Sequence, residues 1–427
     1  DLARQFRRGA TAAGLQHAHG ETKHVTGAAF VAAETLGWVL GPVAAVKTFL
    51  SRPRRTATRA TTTVRFDDSV LVEQRVFFAE SVLNTMGLTQ GFAPLVALCG
   101  HTSATANNPH ATALECGACA GASGEGNARA VAALLNSPDV RVGLHDRGID
   151  IPDDTWFIAG LHDTVSDHVE LLDTSHAPET HRGRIDDLRV RLARAATAQV
   201  ADRATKLPGP DDATHARGAD WAQVRPEWGL ARNAAFIIGP RSMTEGLDLG
   251  GRAFLHSYEG ENDPTGKVLE TIMTAPLVVG HWISSQYYFS TVDSEAFGAG
   301  DKLLHNPIGT LGVVSGDGGD LRVGLPLQST HVAGDRHHQP VRLLAVIEAE
   351  PARIEQIIDA NPILQTLTSG SWIRIAARPR AGEPWSTRTP GGTWITTPNA
   401  LRRHRTKAVP AAVQPRDEYA LAGSTPA

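Results

Sequence analysis

Cysteine is scarce: the 427-residue chain holds three, Cys99, Cys116 and Cys119. Three are too few for a disulfide framework at this length, which favours a reducing compartment and a metal or thiol role. Basic residues do not exceed acidic ones, 41 against 45, so the charge balance offers no footprint for nucleic acid. Long apolar runs are missing as well. The longest, 25–46, contains Glu34 and Pro42 and is diluted by Gly27, Gly37 and Gly41. A spanning helix needs about 20 predominantly apolar residues and tolerates a central carboxylate poorly. We read this tract as a buried or interface helix, and any work at a membrane as work done through a partner. The chain opens at Asp1 without Met or a leader-like pattern, and we expect it to begin partway through a longer protein. What is present is otherwise ordinary: 41% hydrophobic residues, 20% charged residues and a net charge of -4 describe two domains or one large one.

The confinement of the thiols is not ordinary. All three cysteines, with His101 and His110, fall within residues 99–119. The apolar run Leu95–Leu98, closed by Gly100, reads as a buried parallel strand. His101 then lies at its carboxyl end, where open α/β sheets place their ligands. Gly126–Asn136 has helical character, giving the order strand, chemistry-bearing loop, helix. A second such strand, Thr155–Leu161, ends in His162, Asp163, Thr164, Ser166, Asp167 and His168, which would line the same crevice. Asp, Ser and Thr serve equally well as caps and turn residues.

Downstream, apolar residues at 185, 188, 192, 196 and 200 predict an amphipathic helix with a solvated charged face. Phe236–Ile238 and Ala253–Leu255 fit buried strands. Ser315–Asp320 lacks the Lys-Ser/Thr of a phosphate loop and reads as a turn, and His331, His337 and His338 read as a surface loop. Residues 341–378 have the strand, Pro-led helix and strand of a βαβ unit. The domain plan expected is a helical remnant and linker over 1–65, a metal-site region over 66–335, an α/β unit over 336–398 and a disordered tail over 399–427.

The cysteine–histidine cluster supports several chemistries. Zinc takes thiolate and imidazole donors in tetrahedral array, closed in structural sites and open to water in catalytic ones. Cys99, His101, Cys116 and Cys119 would make a closed Cys3His site in a noncatalytic scaffold. Cys116-Gly-Ala-Cys119 has redox spacing, but lacks the Trp or Pro context of that motif. A Cys nucleophile with His101 as base is a third arrangement. Three thiols packed in a core would need no function at all.

The segments LCGHTSATANNPHATALECGACAG (98–121), GNARAVAALLN (126–136), DTWFIAGLHDTVSD (154–167), RPEWGLARNAAFIIGPR (225–241), MTAPLVVGHWISSQYYFSTVD (273–293) and NPIGTLGVVSGDGGDLRVGLPLQSTH (306–331) resemble the DabA family of inorganic carbon transporter subunits. The resemblance runs from about residue 75 to 398. It implies an α/β fold whose core, with a parallel sheet and flanking helices, is similar to β-carbonic anhydrase. It further implies a zinc cofactor, CO2 and bicarbonate as substrate and product, and a DabB-like integral membrane partner that couples the reaction to a cation gradient. The expected location is peripheral, at the cytoplasmic face of the cell membrane. In the family, zinc is held by the Cys and Asp of a Cys-Ile-Asp-x-Arg motif and by a downstream His and Cys. The downstream pair corresponds to His101 and Cys116, fifteen positions apart. The upstream motif has no counterpart: no Cys precedes Cys99 and no Cys-x-Asp occurs in the chain. The catalytic Asp-Arg pair of the family is missing with it. On this resemblance Cys99, His110 and Cys119 become neighbours of a half-site, and no role is assigned to His162 or Asp163.

Overall fold

The computed structural model describes residues 64, 66, 69–103, 123–205, 230–301, 305–308, 312–315, 321–322, 324–332 and 334–396. The helix expected over 25–46, the turn at 316–320 and the tail beyond 398 lie outside them. The fold is mixed α/β and divides into two compact units. One takes the described residues up to Arg232 together with Val278–Arg342, the other Asn233–Leu277 and the described residues from Leu343 onward.

The first unit begins with α1 (Val72–Met86), which buries Val76, Ala79 and Leu83, one face at helical spacing. Gly87, in the left-handed region at φ 66°, ends it by donating its N–H to the carbonyls of Leu83 and Asn84. Next come β1 (Leu95–Thr102), α2 (Glu125–Leu135) and α3 (Pro138–His145), then β2 (Trp156–Asp163), β3 (Val169–Leu172) and α4 (Arg182–Ala204). The strands form one sheet in the order β1-β2-β3, with β1 and β2 parallel and β3 antiparallel.

Side chains alternate across the sheet and give it two apolar faces. Val96, Leu98, Phe157, Ala159 and Leu161 pack with residues of α1, α2 and α3. Leu95 and Ile158 point the other way, against Ile185, Leu188 and Leu192 of α4. Burying a Phe or Leu side chain is worth roughly 1.5–3 kcal/mol, so these two layers fix which face each strand residue takes. Polar side chains complete the frame. Asn136, at the end of α2, mimics a strand: its amide donates to the Phe157 carbonyl at 2.7 Å and accepts from the Phe157 N–H at 3.0 Å. Buried His181 bonds through Nε2 to the carbonyls of Pro94 and Asp154, tying the starts of β1 and β2 together.

One expectation about β1 is corrected. The strand is parallel, but Ala97 and Cys99 are exposed, because among the described residues it pairs only with β2 and forms the sheet's edge. A strand buried on both faces needs neighbours on both sides.

The second unit contains β4 (Ala235–Gly239), β5 (Ala253–Ser257) and α5 (Lys267–Thr274). Helix α6 (Pro276–Val292) follows and enters the first unit at Val278. The second unit then resumes with β6 (Leu343–Glu348), α7 (Pro351–Ala360), α8 (Pro362–Ser369), β7 (Ile373–Arg378), β8 (Ser386–Arg388) and β9 (Trp394–Thr396). Its sheet runs β9-β8-β7-β6-β4-β5, with the four strands from β7 to β5 parallel. The βαβ unit is therefore present, with two helices in its crossover, and strands from 235–257 extend its sheet. Within the first unit, His338 departs from the surface loop expected for it: it is fully buried, its Nδ1 accepts the Arg232 N–H at 2.8 Å, and its ring packs on Tyr287. Among the described residues no helix is long and apolar enough to cross a membrane.

Candidate metal site

His101 is the penultimate residue of β1, as the strand–loop reading requires, and its register partner on β2 is His162. In-register residues on parallel strands share a face. For these two it is the α4 face, set by Leu95 and Ile158 further down the same strands. The imidazoles thus stand side by side at the carboxyl end of the sheet. Among the described residues, no hydrogen bond reaches the His101 ring from a neighbour.

The backbone around His101 is pinned. Its carbonyl accepts the Gly124 N–H at 2.9 Å, and Gly124 caps the start of α2. The segment that leaves β1 after Ser103 therefore returns to the same point. The closure depends on two glycines: a Cβ on Gly100 would lie 2.4 Å from the Gly124 carbonyl oxygen, and one on Gly124 would lie 2.9 Å from the His101 nitrogen. Only hydrogen fits in both places.

Cys99 lies two residues before His101 on the same face. The residue is exposed overall, but its sulfur rests over Gly160, where a Cβ would stand 2.6 Å from it. Desolvation of the thiol pushes its pKa above the ordinary value. Without a metal beside it, a thiol raised in this way is a poor nucleophile. His110, Cys116 and Cys119 lie outside the described residues.

The polar cluster after β2 separates into two parts. Asp163 is a turn residue: its carboxylate accepts from Ser166 Oγ at 2.6 Å and from the Val165 N–H at 3.3 Å. Asp167 is different. It is buried, and its Oδ1 meets His162 Nε2 at 3.0 Å while its Oδ2 takes a guanidinium N–H of Arg203. The same guanidinium donates to the carbonyls of Thr164 and Val165 at 3.1 and 3.0 Å. Asp167 sits at φ 56°, a conformation disfavoured for side chains with a Cβ.

Sequence reasoning missed Arg203. It had a signal: position 203 continues the 185, 188, 192, 196, 200 stripe by three more residues, which puts a charge on the inward face of α4. Among the described residues no group of three or more His, Cys, Asp or Glu side chains is placed to hold a metal ion. Of the side chains present, the His101 imidazole is a donor of the type that a borderline-soft ion such as zinc accepts.

A family profile described as "Probable inorganic carbon transporter subunit DabA" matches residues 2–373. The chain belongs to the DabA family. Among the family's curated members, DabA 1 of Bradyrhizobium sp. (strain ORS 278) is 49% identical over 347 residues, covering 78% of this chain and 40% of that protein. DabA2 of Halothiobacillus neapolitanus is 50% identical over 320 residues, covering 73% and 39%. DabA of Roseiflexus sp. (strain RS-1) is 49% identical over 317 residues, covering 73% and 38%. The chain thus spans about two-fifths of the length of the curated relatives it matches. No solved structure matches it.

Proposed function

We propose that this chain forms part of a zinc-dependent, carbonic anhydrase-like subunit of an energy-coupled inorganic carbon pump, with His101 and Cys116 as the metal ligands it contributes. The complete subunit converts CO2 to bicarbonate together with a DabB-like integral membrane partner, at the cytoplasmic face of the cell membrane. The observation that carries this reading is the position of His101, at the carboxyl end of a parallel strand and without a hydrogen bond among the described residues, in a chain of the DabA family. The relatives' names, "Probable inorganic carbon transporter subunit", support the transport role and the need for a partner.

Zinc, when bound, lowers the pKa of water to ~7 and so supplies hydroxide for attack on CO2 at neutral pH. The chain's own contribution is placement. The His101 backbone is held on one side by the β1–β2 ladder and on the other by the Gly124 N–H, which limits the ring to rotation about its own side-chain bonds. Rigid support of this kind keeps a ligand within the fraction of an ångström that metal sites demand. The competing reading is a noncatalytic scaffold with a closed Cys99, His101, Cys116, Cys119 site; it predicts that Cys119→Ser unfolds the chain as badly as Cys116→Ser.

Complementation tests the proposal. The complete subunit, co-expressed with its membrane partner, should restore growth at ambient CO2 to a host that lacks carbonic anhydrase. His101→Ala and Cys116→Ala should each abolish rescue while leaving expression intact; rescue by both variants would overturn the assignment.

A further inference from the structure

We infer that the outer face of α6 is the surface by which this subunit docks on its integral membrane partner, an inference that rests on the partner named in the reading above. The helix carries its polar and apolar faces the wrong way round for a soluble fold. His281, Ser284, Tyr287 and Thr291, spaced by three, three and four, face the interior of the first unit and are buried. Val279 and Trp282 face outward, 38% and 58% exposed, and Val292 and Phe297 are 49% and 54% exposed. Phe289 joins the two pairs: it continues the spacing 279, 282, 286, 289, and its ring meets that of Phe297 at 5.5 Å. Hydrogen bonds fix which side of the helix faces solvent. The Tyr287 hydroxyl accepts the Leu230 N–H at 3.1 Å, while Ser290 Oγ accepts the Leu325 N–H at 2.9 Å and donates to the Phe297 carbonyl at 3.1 Å.

The patch is uncharged, since α6 contains no Asp, Glu, Lys or Arg in a chain that is 20% charged. Its four open side chains amount to roughly 350 Å², the size of the largest apolar patch on an ordinary monomer, which is often functional. A standard interface takes about 800 Å² from each partner, so the patch is the centre of a contact and Trp282 its anchor. Charge selects the occupant. A bilayer fits poorly, because an interfacial helix offers a Lys- and Arg-rich face to the headgroups; neither residue occurs over 276–301, and the polar face of α6 is buried. A second copy fits poorly too, because Asp293 and Glu295, both exposed and in the same turn as Phe297, would meet their own sign. The cytoplasmic loops of integral membrane proteins are rich in Lys and Arg, which complements that acidic rim. The occupant is therefore an uncharged apolar strip edged by basic residues on the cytoplasmic surface of the membrane subunit.

The test uses the complete subunit and its co-expressed integral membrane partner in detergent, with affinity read by biolayer interferometry. Trp282→Ala should weaken the complex by ~30-fold or more, as loss of a central aromatic anchor does, and Phe297→Ala should weaken it as well. Glu295→Lys should slow association and flatten its dependence on salt. Phe77→Ala, which removes an equally open ring from α1, should change nothing. Circular dichroism and zinc content should match the wild type in all four variants, since each alters only exposed surface. Glu295→Lys carries the test if an aromatic replacement does not fold. Wild-type affinity in the folded variants would overturn the inference and leave the zinc and transport readings standing. So would variants that keep the complex but lose self-association in sedimentation, or lose binding to partner-free vesicles of phosphatidylcholine and phosphatidylglycerol. A wild-type subunit that forms no complex with the membrane protein would remove the partner reading, and this inference with it.

Discussion

Replacing Gly100 by Ala probes the point on which the site is built. The new methyl would stand 2.4 Å from the Gly124 carbonyl oxygen and 2.6 Å from its carbon, both main-chain atoms that cannot swing aside. Relief requires the end of β1 and the start of α2 to separate, which stretches or breaks the 2.9 Å bond from Gly124 N–H to the His101 carbonyl. Overpacking of this kind costs about 1–3 kcal/mol, and a lost hydrogen bond about 0.5–1.5. The expected destabilisation of the first unit is therefore about 2–4 kcal/mol. With a urea m-value of roughly 2 kcal/mol/M, its unfolding midpoint falls by about 1–2 M. Hydrogen exchange localises the effect, because the Gly124 amide should lose protection well beyond the rest of α2. Gly126→Ala is the control: no atom lies within 4 Å of its Cβ, and better helix propensity should leave stability unchanged or raised by up to about 1 kcal/mol. Wild-type stability and Gly124 protection in Gly100→Ala would refute the reasoning.

Other consequences are as direct. Asp167→Ala leaves the largely covered Arg203 guanidinium with only its two carbonyl partners and should cost about 3 kcal/mol in chemical denaturation, whereas Arg191→Ala, which removes an exposed pair with Asp187, should cost under about 1. Glu355 accepts from both Arg388 and Trp394, and the Arg388 bond above all holds its pKa below the ordinary 4.5. Because the folded form resists protonation, this carboxylate stabilises the second unit fully above pH ~4.5, and the stabilisation is lost as pH falls through the lower folded value. Acid titration of Glu355→Gln should show a shallower loss of stability below that pH; an identical slope would contradict the assignment. Burial lowers the pKa of His281, so it folds neutral, and its contribution should fade as pH drops below ~6.5. His281→Gln should remove that part of the pH dependence in thermal unfolding.

The parts of the fold legible in the sequence were the local ones. Runs such as Leu95–Leu98 and Thr155–Leu161 read as strands because a buried strand leaves little room for polar residues; the first starts at Leu95 as read and runs on to Thr102, and the second is shifted to Trp156–Asp163. The unit at 341–378 was legible for the same reason. Pairing between distant segments was not: nothing in Phe236 announces Ala345 as its neighbour, so the extension of the C-terminal sheet came only from the structure. The exposure of Cys99 was hidden likewise, since edge or centre is decided by the rest of the sheet.

Within the site, His101 was placed by the rule that ligands gather beyond strand carboxyl ends. The division of labour between Asp163 and Asp167 was not predictable, because both are short carboxylates in one turn and only the backbone decides which folds onto its own loop. Arg203 escaped because a helix rich in Arg reads as solvated, and one inward member looks like the rest until the stripe is followed to its end.

The central claim is that His101 holds a zinc ion. Its most direct test is the metal content of the complete subunit, purified without added zinc and measured by inductively coupled plasma mass spectrometry beside His101→Ala. One zinc per chain in the wild type and almost none in a folded His101→Ala is the predicted result. Equal zinc in the two proteins, or none in either, would contradict the account.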